Sequence, residues 1–317
     1  MTGIYIHIPF CRKACHYCNF HFSTSVRSEN DLTDALLNEA EIRRNYLGEA
    51  KIDTLYIGGG TPSLLDEKNL EKVFNRIFSL YPFNSPAEIT LEANPDDVTD
   101  EKAYFWKSLG VNRLSIGIQS FQDADLRWMN RSHDAEQAAR SIEVAQRHFD
   151  ELTIDLIYGS PTMTDSQWAE NLERASTLGI THLSCYALTV EPRTALEKLI
   201  EKKEKEPVQS EAQARQFLLA MEFLEEKGWE HYEISNFALP GHRSRHNSGY
   251  WSGMSYLGLG PSAHSYDQVS RQWNIANNSL YIAGVRSGAI PMEQEQLTAV
   301  QRCNEYLLTL SLIHISE

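Results

Sequence analysis

No stretch of this sequence approaches the roughly 20 consecutive apolar residues that a bilayer-spanning helix needs. Its start, Met1-Thr2-Gly3-Ile4-Tyr5, carries no basic segment ahead of a long apolar run. A membrane class does not fit, and the expected location is the cytoplasm. Positive charge is also scarce: 29 Lys and Arg stand against 43 Asp and Glu, a formal net charge of -14. That balance repels a phosphate backbone, and no Lys/Arg stripe interleaved with aromatics overcomes it locally, so nucleic acid is not an expected partner. The longest charge run, residues 197–206, mixes signs and ends at Pro207, which reads as a solvated face rather than a binding tail. Cysteine is too sparse and too clustered for a disulfide framework. There are 5, an odd number, and three of them fall between residues 11 and 18, an arrangement normal for a metal site in a reducing compartment. Cys185 and Cys303 stand alone and read as ordinary buried thiols.

What is present is a core-sized chain of 317 residues with 42% hydrophobic content. Short β-branched runs at residues 4–8, 52–57, 88–92, 113–118, 152–157 and 182–187 predict six strands. Between them apolar residues recur at helical spacing, as in Leu70, Val73, Phe74 and Ile77. Asp66 and Thr99 stand where helix N-caps belong, and Gly110 and Gly179 where helices stop. Alternating strand and helix requires parallel strands with right-handed crossovers, in a closed or partial barrel or in an open doubly wound sheet. Either architecture gathers its chemistry at the C-terminal ends of the strands. The cysteines follow strand one, residues 58–61 (GGGT) follow strand two, Glu92 ends strand three and Gln119 lies just past strand four. After residue 206 the pattern changes to a helix at about 209–227, a strand-like run at 232–237 and a Gly/Ser- and aromatic-rich stretch at 240–266.

Cys11, Cys15 and Cys18 have the spacing CxxxCxxC on one short loop. Soft thiolates select iron-sulfur clusters, zinc or cuprous copper. Structural zinc asks for four closed ligands, and neither His7 nor His16 completes a familiar zinc spacing. A cubane held by three thiolates leaves one iron open to a further ligand. The glycine run lets backbone amides approach a ligand where side chains would block it.

The CxxxCxxC loop after an N-terminal strand resembles the radical S-adenosylmethionine superfamily. Residues 4–11 (IYIHIPFC), 58–62 (GGGTP), 91–95 (LEANP), 115–120 (SIGIQS) and 154–159 (IDLIYG) more closely resemble the family of oxygen-independent coproporphyrinogen III oxidase and its paralogue, the HemW-type haem chaperones. The likeness runs from Tyr5 to about Tyr306. It implies an α/β fold, a partial (β/α)6 TIM-like barrel with a C-terminal extension. Residues 1–206 would be the barrel, with its cluster loop at 9–20, residues 207–300 the extension, and residues 301–317 the start of a C-terminal domain cut short. It further implies a 4Fe-4S cluster on Cys11, Cys15 and Cys18, and S-adenosylmethionine contacts from Tyr5, Gly59, Gly60, Thr61, Glu92, Gln119, Arg131, Asp155 and Ala187. Glu92 and Asp155 suit hydrogen bonds from ribose or amino groups, and Arg131 suits a carboxylate as a planar fork.

The family divides at one position. The decarboxylating oxidase resembles CxxxCxxCxC, whereas Phe20 stands here in place of the fourth cysteine, as in the chaperone branch. Residues 246–251 (HNSGYW) resemble the HNxxYW motif of the haem chaperones, which implies haem contact from His246, beside the flat faces of Tyr250 and Trp251. The expected function is a haem chaperone delivering haem to haem-dependent partners such as respiratory enzymes at the membrane. The competing readings are the oxidase that converts coproporphyrinogen III to protoporphyrinogen IX, and a non-catalytic zinc or interaction protein.

Overall fold

Polar and apolar residues alternate along every one of the six barrel strands, and that alternation decides which face each strand turns to the helices. The computed structural model describes residues 1–313 and contains β1 (Thr2–Ile8), β2 (Ile52–Gly59), β3 (Phe83–Ala93), β4 (Arg113–Gln119), β5 (Glu151–Tyr158) and β6 (His182–Ala187). They lie side by side in chain order, all parallel. β1 and β6 do not pair with each other, so the barrel is partial. Ile4, Ile6, Leu55, Leu91, Leu114, Ile116, Ile154 and Leu156 are buried and form one apolar cluster with helix residues such as Leu32, Phe74, Trp106 and Trp168. Burying each such side chain contributes about 2 kcal/mol. The alternate residues Tyr56, Thr90, Glu92, Ser115, Thr153, Asp155 and Ser184 line a cavity inside the barrel. Parallel strands covered on both faces usually read as continuous apolar runs; these do not, because their inner face is polar.

The helices are α1 (Glu29–Ile42), α2 (Glu67–Leu80), α3 (Asp100–Ser108), α4 (Asp123–Trp128), α5 (Ala135–Gln146), α6 (Asp165–Thr177), α7 (Ala195–Glu201) and α8 (Ser210–Glu226). Asp66 and Thr99 cap α2 and α3, accepting from Lys68 N at 3.0 Å and Lys102 N at 3.2 Å. Gly110 and Gly179 leave their helices in the left-handed region, at φ 99° and 67°. α8, which the sequence pattern assigns to the extension, packs on α6 and reaches β5 and β6. The strand-like run at 232–237 is instead a tight hairpin, β7 (Glu230–Glu233) and β8 (Asn236–Ala238), because Ile234 and Ser235 turn the chain. β8 pairs antiparallel with β6.

The rest of the chain extends the opposite edge. After α9 (Arg245–Trp251), β9 (Ser255–Leu259) pairs parallel with β1, followed by antiparallel β10 (His264–Tyr266), β11 (Ser270–Asn274), α10 (Asn278–Arg286) and β12 (Met292–Gln296). One buried carboxylate joins this edge to the barrel. Glu39 of α1 accepts from Gly260 N at 2.8 Å, Asn274 Nδ2 at 2.8 Å and Tyr281 OH at 2.6 Å. α11 (Ala299–Ile313) closes the described chain and carries Cys303. That thiol is exposed, contrary to the expectation of a buried one, while Cys185 is buried. Of the expected start of a further domain at 301–317, residues 314–317 lie outside the described residues.

Candidate functional site

Three thiols come to one place because the loop after β1 is tied down at both ends and in the middle. Cys11 N donates to Ser23 O at 3.0 Å, and Ser23 N returns a bond to Pro9 O at 2.8 Å. Arg12 reaches across to the buried Asp97 beyond β3. His16 N donates to Met129 O at 3.1 Å, and Asn130 Nδ2 to Ala14 O at 2.7 Å, so the segment following α4 holds the far side. Cys11, Cys15 and Cys18 are all half-buried and line one cavity of about 400 Å³ at the C-terminal ends of the strands. Burial pushes the Cys18 thiol up to about 11 and raises that of Cys11, so a bound cation is what would keep them ionised. Among the described residues no three His, Cys, Asp or Glu side chains converge tightly enough to grip a single metal ion. A cubane asks for a different arrangement, since its thiolates bind separate irons.

The remaining wall fits a polar ligand beside such a cluster. Arg131 points Nη1 at the Cys15 sulfur, 3.3 Å away, and Nη2 donates to Asn94 Oδ1 at 2.9 Å and to the Gly117 carbonyl at 2.8 Å. Thr61 Oγ1 donates toward the Cys11 sulfur at 3.6 Å. A Cβ on Gly60 would lie 2.7 Å from the Phe10 carbonyl and 3.0 Å from the Cys11 sulfur, so only glycine lets the backbone pass there. Glu92 accepts from Tyr56 OH at 2.8 Å and from Gly59 N at 3.1 Å. Burial pushes Glu92 up to about 7 and Asp155 up to about 6, and each can exchange a proton or accept a ligand hydrogen bond near neutrality.

Gly59, Gly60, Thr61, Glu92, Gln119, Arg131, Asp155 and Ala187 all line this cavity with the three cysteines. Tyr5 does not. Its ring stacks on Tyr56 at 6.1 Å and its hydroxyl lies 3.2 Å from His7 Nδ1, inside the barrel. Asn94, Ser115, Gly117 and Tyr186 also line the cavity, and the sequence reading passed over them. Their signal was available in the alternation, since Ser115 and Gly117 are inward positions of β4 and Tyr186 of β6. Phe20 is 67% exposed and forms part of the cavity rim.

His246 is elsewhere. It sits in α9 at the opposite end of the barrel, 1% exposed, with Nδ1 2.8 Å from Thr54 Oγ1 and Nε2 2.9 Å from Tyr250 OH. Its ring packs on Tyr56 at 5.1 Å, and burial pushes it down to about 3. The arrangement closes the barrel floor and does not bring His246 to the cysteines.

Comparison with known proteins agrees with this geometry. The profile of the radical SAM superfamily matches residues 5–175. The chain is 35% identical over 309 residues to the haem chaperone HemW of Bacillus subtilis (strain 168), covering 96% of this chain and 82% of that protein. It is 37% identical over 275 residues to the haem chaperone HemW of Synechocystis sp. (strain ATCC 27184 / PCC 6803 / Kazusa), covering 84% of this chain and 66% of that one. Among solved structures, coproporphyrinogen III oxidase HemN from Escherichia coli, a radical SAM enzyme, superposes with a TM-score of 0.86 at 24% identity, over 98% of this chain and 75% of that one. That likeness shows the fold.

Proposed function

The chain belongs to the radical SAM superfamily and, within it, to the HemW family, and from that premise we propose that it is a haem chaperone. It binds haem as cargo and passes it to haem-dependent proteins, while holding a 4Fe-4S cluster and S-adenosylmethionine in the cavity at the strand ends. The observation that carries this reading over porphyrinogen decarboxylation is Phe20. An exposed aromatic ring stands at the cavity rim where the oxidase resemblance asks for a fourth thiol.

When bound, the cluster supplies an open iron for the methionine end of S-adenosylmethionine and an electron for its sulfonium. The chain's own residues do the rest. Cys11, Cys15 and Cys18 hold the cluster, and Arg131 sets a fixed positive charge against Cys15. Glu92 and Asp155 accept from the ligand's polar groups, and Gly60 leaves room for close backbone approach. The proposed haem contact from His246 requires the ring to give up Thr54 and Tyr250, which hold its two nitrogens. Recipients are haem-dependent proteins such as respiratory enzymes at the membrane, served from the cytoplasm; no described helix is long and apolar enough to cross a bilayer.

The test is anaerobic reconstitution with iron and sulfide followed by haemin titration in the Soret region. A saturable haem site, with transfer to an apo-haemoprotein, supports the reading. Turnover of coproporphyrinogen III with S-adenosylmethionine and reductant would replace it with the oxidase reading.

A further inference from the structure

One guanidinium stands between two of the three loop cysteines. Arg131 Nη1 donates to the Cys15 sulfur at 3.3 Å, and Nη2 donates to Asn94 Oδ1 at 2.9 Å. The amide of Asn94, the residue after β3, carries the contact onward. Its Nδ2 donates to Thr61 Oγ1 at 3.2 Å, and Thr61 Oγ1 donates to the Cys11 sulfur at 3.6 Å. These bonds form one unbroken chain between Cys15 and Cys11 along the wall of the cofactor cavity. Cys18 is served separately, by the Phe20 backbone.

The direction of that chain follows from its members. A guanidinium has donors and no acceptor, so the amide turns its carbonyl to Arg131 and its NH2 to Thr61. The Thr61 hydroxyl, already accepting from Asn94, keeps its own proton for sulfur. Every donor therefore points toward Cys11 or Cys15. The parts are also held still. Asn94 N donates to Ser63 Oγ at 3.2 Å, and Ser63 Oγ donates to Asp97 at 2.9 Å, the buried carboxylate that holds Arg12 of the cysteine loop. Thr61 is buried, and a Cβ on Gly117 would crowd Arg131 Nη2 at 3.3 Å, so β4 leaves room for the guanidinium. Resting on the cluster-binding part of the function proposed above, we propose that Asn94 is a positioning residue for the cluster: it passes the donation of Arg131 on to Thr61, so that one cation serves the thiolates of both Cys11 and Cys15. Hydrogen bonds to cluster sulfurs tune the reduction potential, and linked donors polarise one another. The chain thus raises the potential through two sulfurs at once.

The test is a redox titration of the reconstituted full chain without S-adenosylmethionine, joined to electron-nuclear double resonance of the reduced cluster in light and heavy water. Thr61→Val removes the donor to Cys11. It should shift the one-electron equilibrium about tenfold toward the oxidised cluster, a lowering of about 60 mV, and lose one exchangeable proton coupling. Thr61→Ser keeps the hydroxyl and should keep both the potential and the coupling. Asn94→Asp keeps the contact with Arg131 but offers Thr61 an acceptor in place of a donor, so the hydroxyl turns away from sulfur and the same coupling should vanish. Adding Thr61→Val to Asn94→Asp should then change the equilibrium less than about twofold, and this comparison cancels the added charge, which both proteins carry. Three results would overturn the proposal with the cluster still in place: a coupling retained in Asn94→Asp, a Thr61→Val shift as large in the Asn94→Asp background as in wild type, or Thr61→Ser behaving like Thr61→Val. If Asn94→Asp does not fold, the Thr61 variants decide, and a wild-type potential in Thr61→Val overturns it. A folded wild-type chain that takes up no cluster removes the cofactor reading and the proposal with it.

Discussion

Arg131 holds Nη1 3.3 Å from the Cys15 sulfur while its second nitrogen is fixed on the Gly117 carbonyl at 2.8 Å. The cation is thus immobilised beside a cluster thiolate rather than swinging free. A fixed positive charge and a hydrogen bond to sulfur favour the more negative, reduced state of a bound cluster. Arg131→Gln should lower the cluster's reduction potential by at least about 60 mV, the shift that corresponds to a tenfold change for one electron. A redox titration followed by electron paramagnetic resonance, without S-adenosylmethionine, reads this directly. An unchanged potential would remove Arg131 from the cluster's electrostatics.

Cluster loading should depend on the loop cysteines individually. Cys11→Ser, Cys15→Ser and Cys18→Ser should each lose the iron-sulfur absorption band and most of the bound iron. Cys303→Ser, at an exposed thiol on α11, should keep both. Arg12→Ala, which releases the loop from Asp97, should load more slowly without losing the site. Iron analysis after anaerobic reconstitution distinguishes the three classes.

The buried carboxylates make stability depend on pH in a direction that can be worked out. Glu92 titrates at about 7 in the folded chain, above its unfolded value. The folded state therefore binds this proton more tightly, and the contribution is complete below the unfolded pKa and lost as pH rises through the folded one. In the cofactor-free protein, wild type should lose about 3 kcal/mol relative to Glu92→Gln between about pH 4 and pH 8. His246, held down to about 3, has the opposite sign: its contribution is present above the unfolded pKa and is lost as pH falls towards 3. Denaturant titrations of the two proteins across this range separate the Glu92 contribution from the histidine background.

Much of this arrangement was legible in the sequence, and the exceptions share a cause. The six barrel strands announced themselves as short β-branched runs, and Glu92 and Gln119, expected at strand ends, do line the cavity, as does Asp155, which the family resemblance supplied. Asp66 and Thr99 cap the helices they were expected to cap. What escaped were features set by distant parts of the chain. β9 runs beside β1 across more than 240 residues of sequence, and nothing local to residues 255–259 specifies that partner. The Gly/Ser- and aromatic-rich stretch hid α9 for the same reason, because its dock is Glu88 and Thr54. Tyr5 has the inward alternation of a pocket residue, and its ring stacks on Tyr56 of the neighbouring strand.

The Glu39 cluster makes the extension part of the same folding unit as the barrel. Glu39→Ala strands three donors, Gly260 N, Asn274 Nδ2 and Tyr281 OH, and should cost about 3 kcal/mol. Wild type should unfold in a single cooperative transition, seen alike by Trp273 of β11 and by far-ultraviolet circular dichroism. A separate early transition of β9–β12 would contradict this.

The most direct test places the reconstituted protein, S-adenosylmethionine and a low-potential reductant with either of two partners under anaerobic conditions. With haemin and an apo-haemoprotein, haem should bind and be transferred. With coproporphyrinogen III, no protoporphyrinogen IX should form, since Phe20 stands in place of the fourth thiol. Sustained protoporphyrinogen formation without haem transfer would contradict the account.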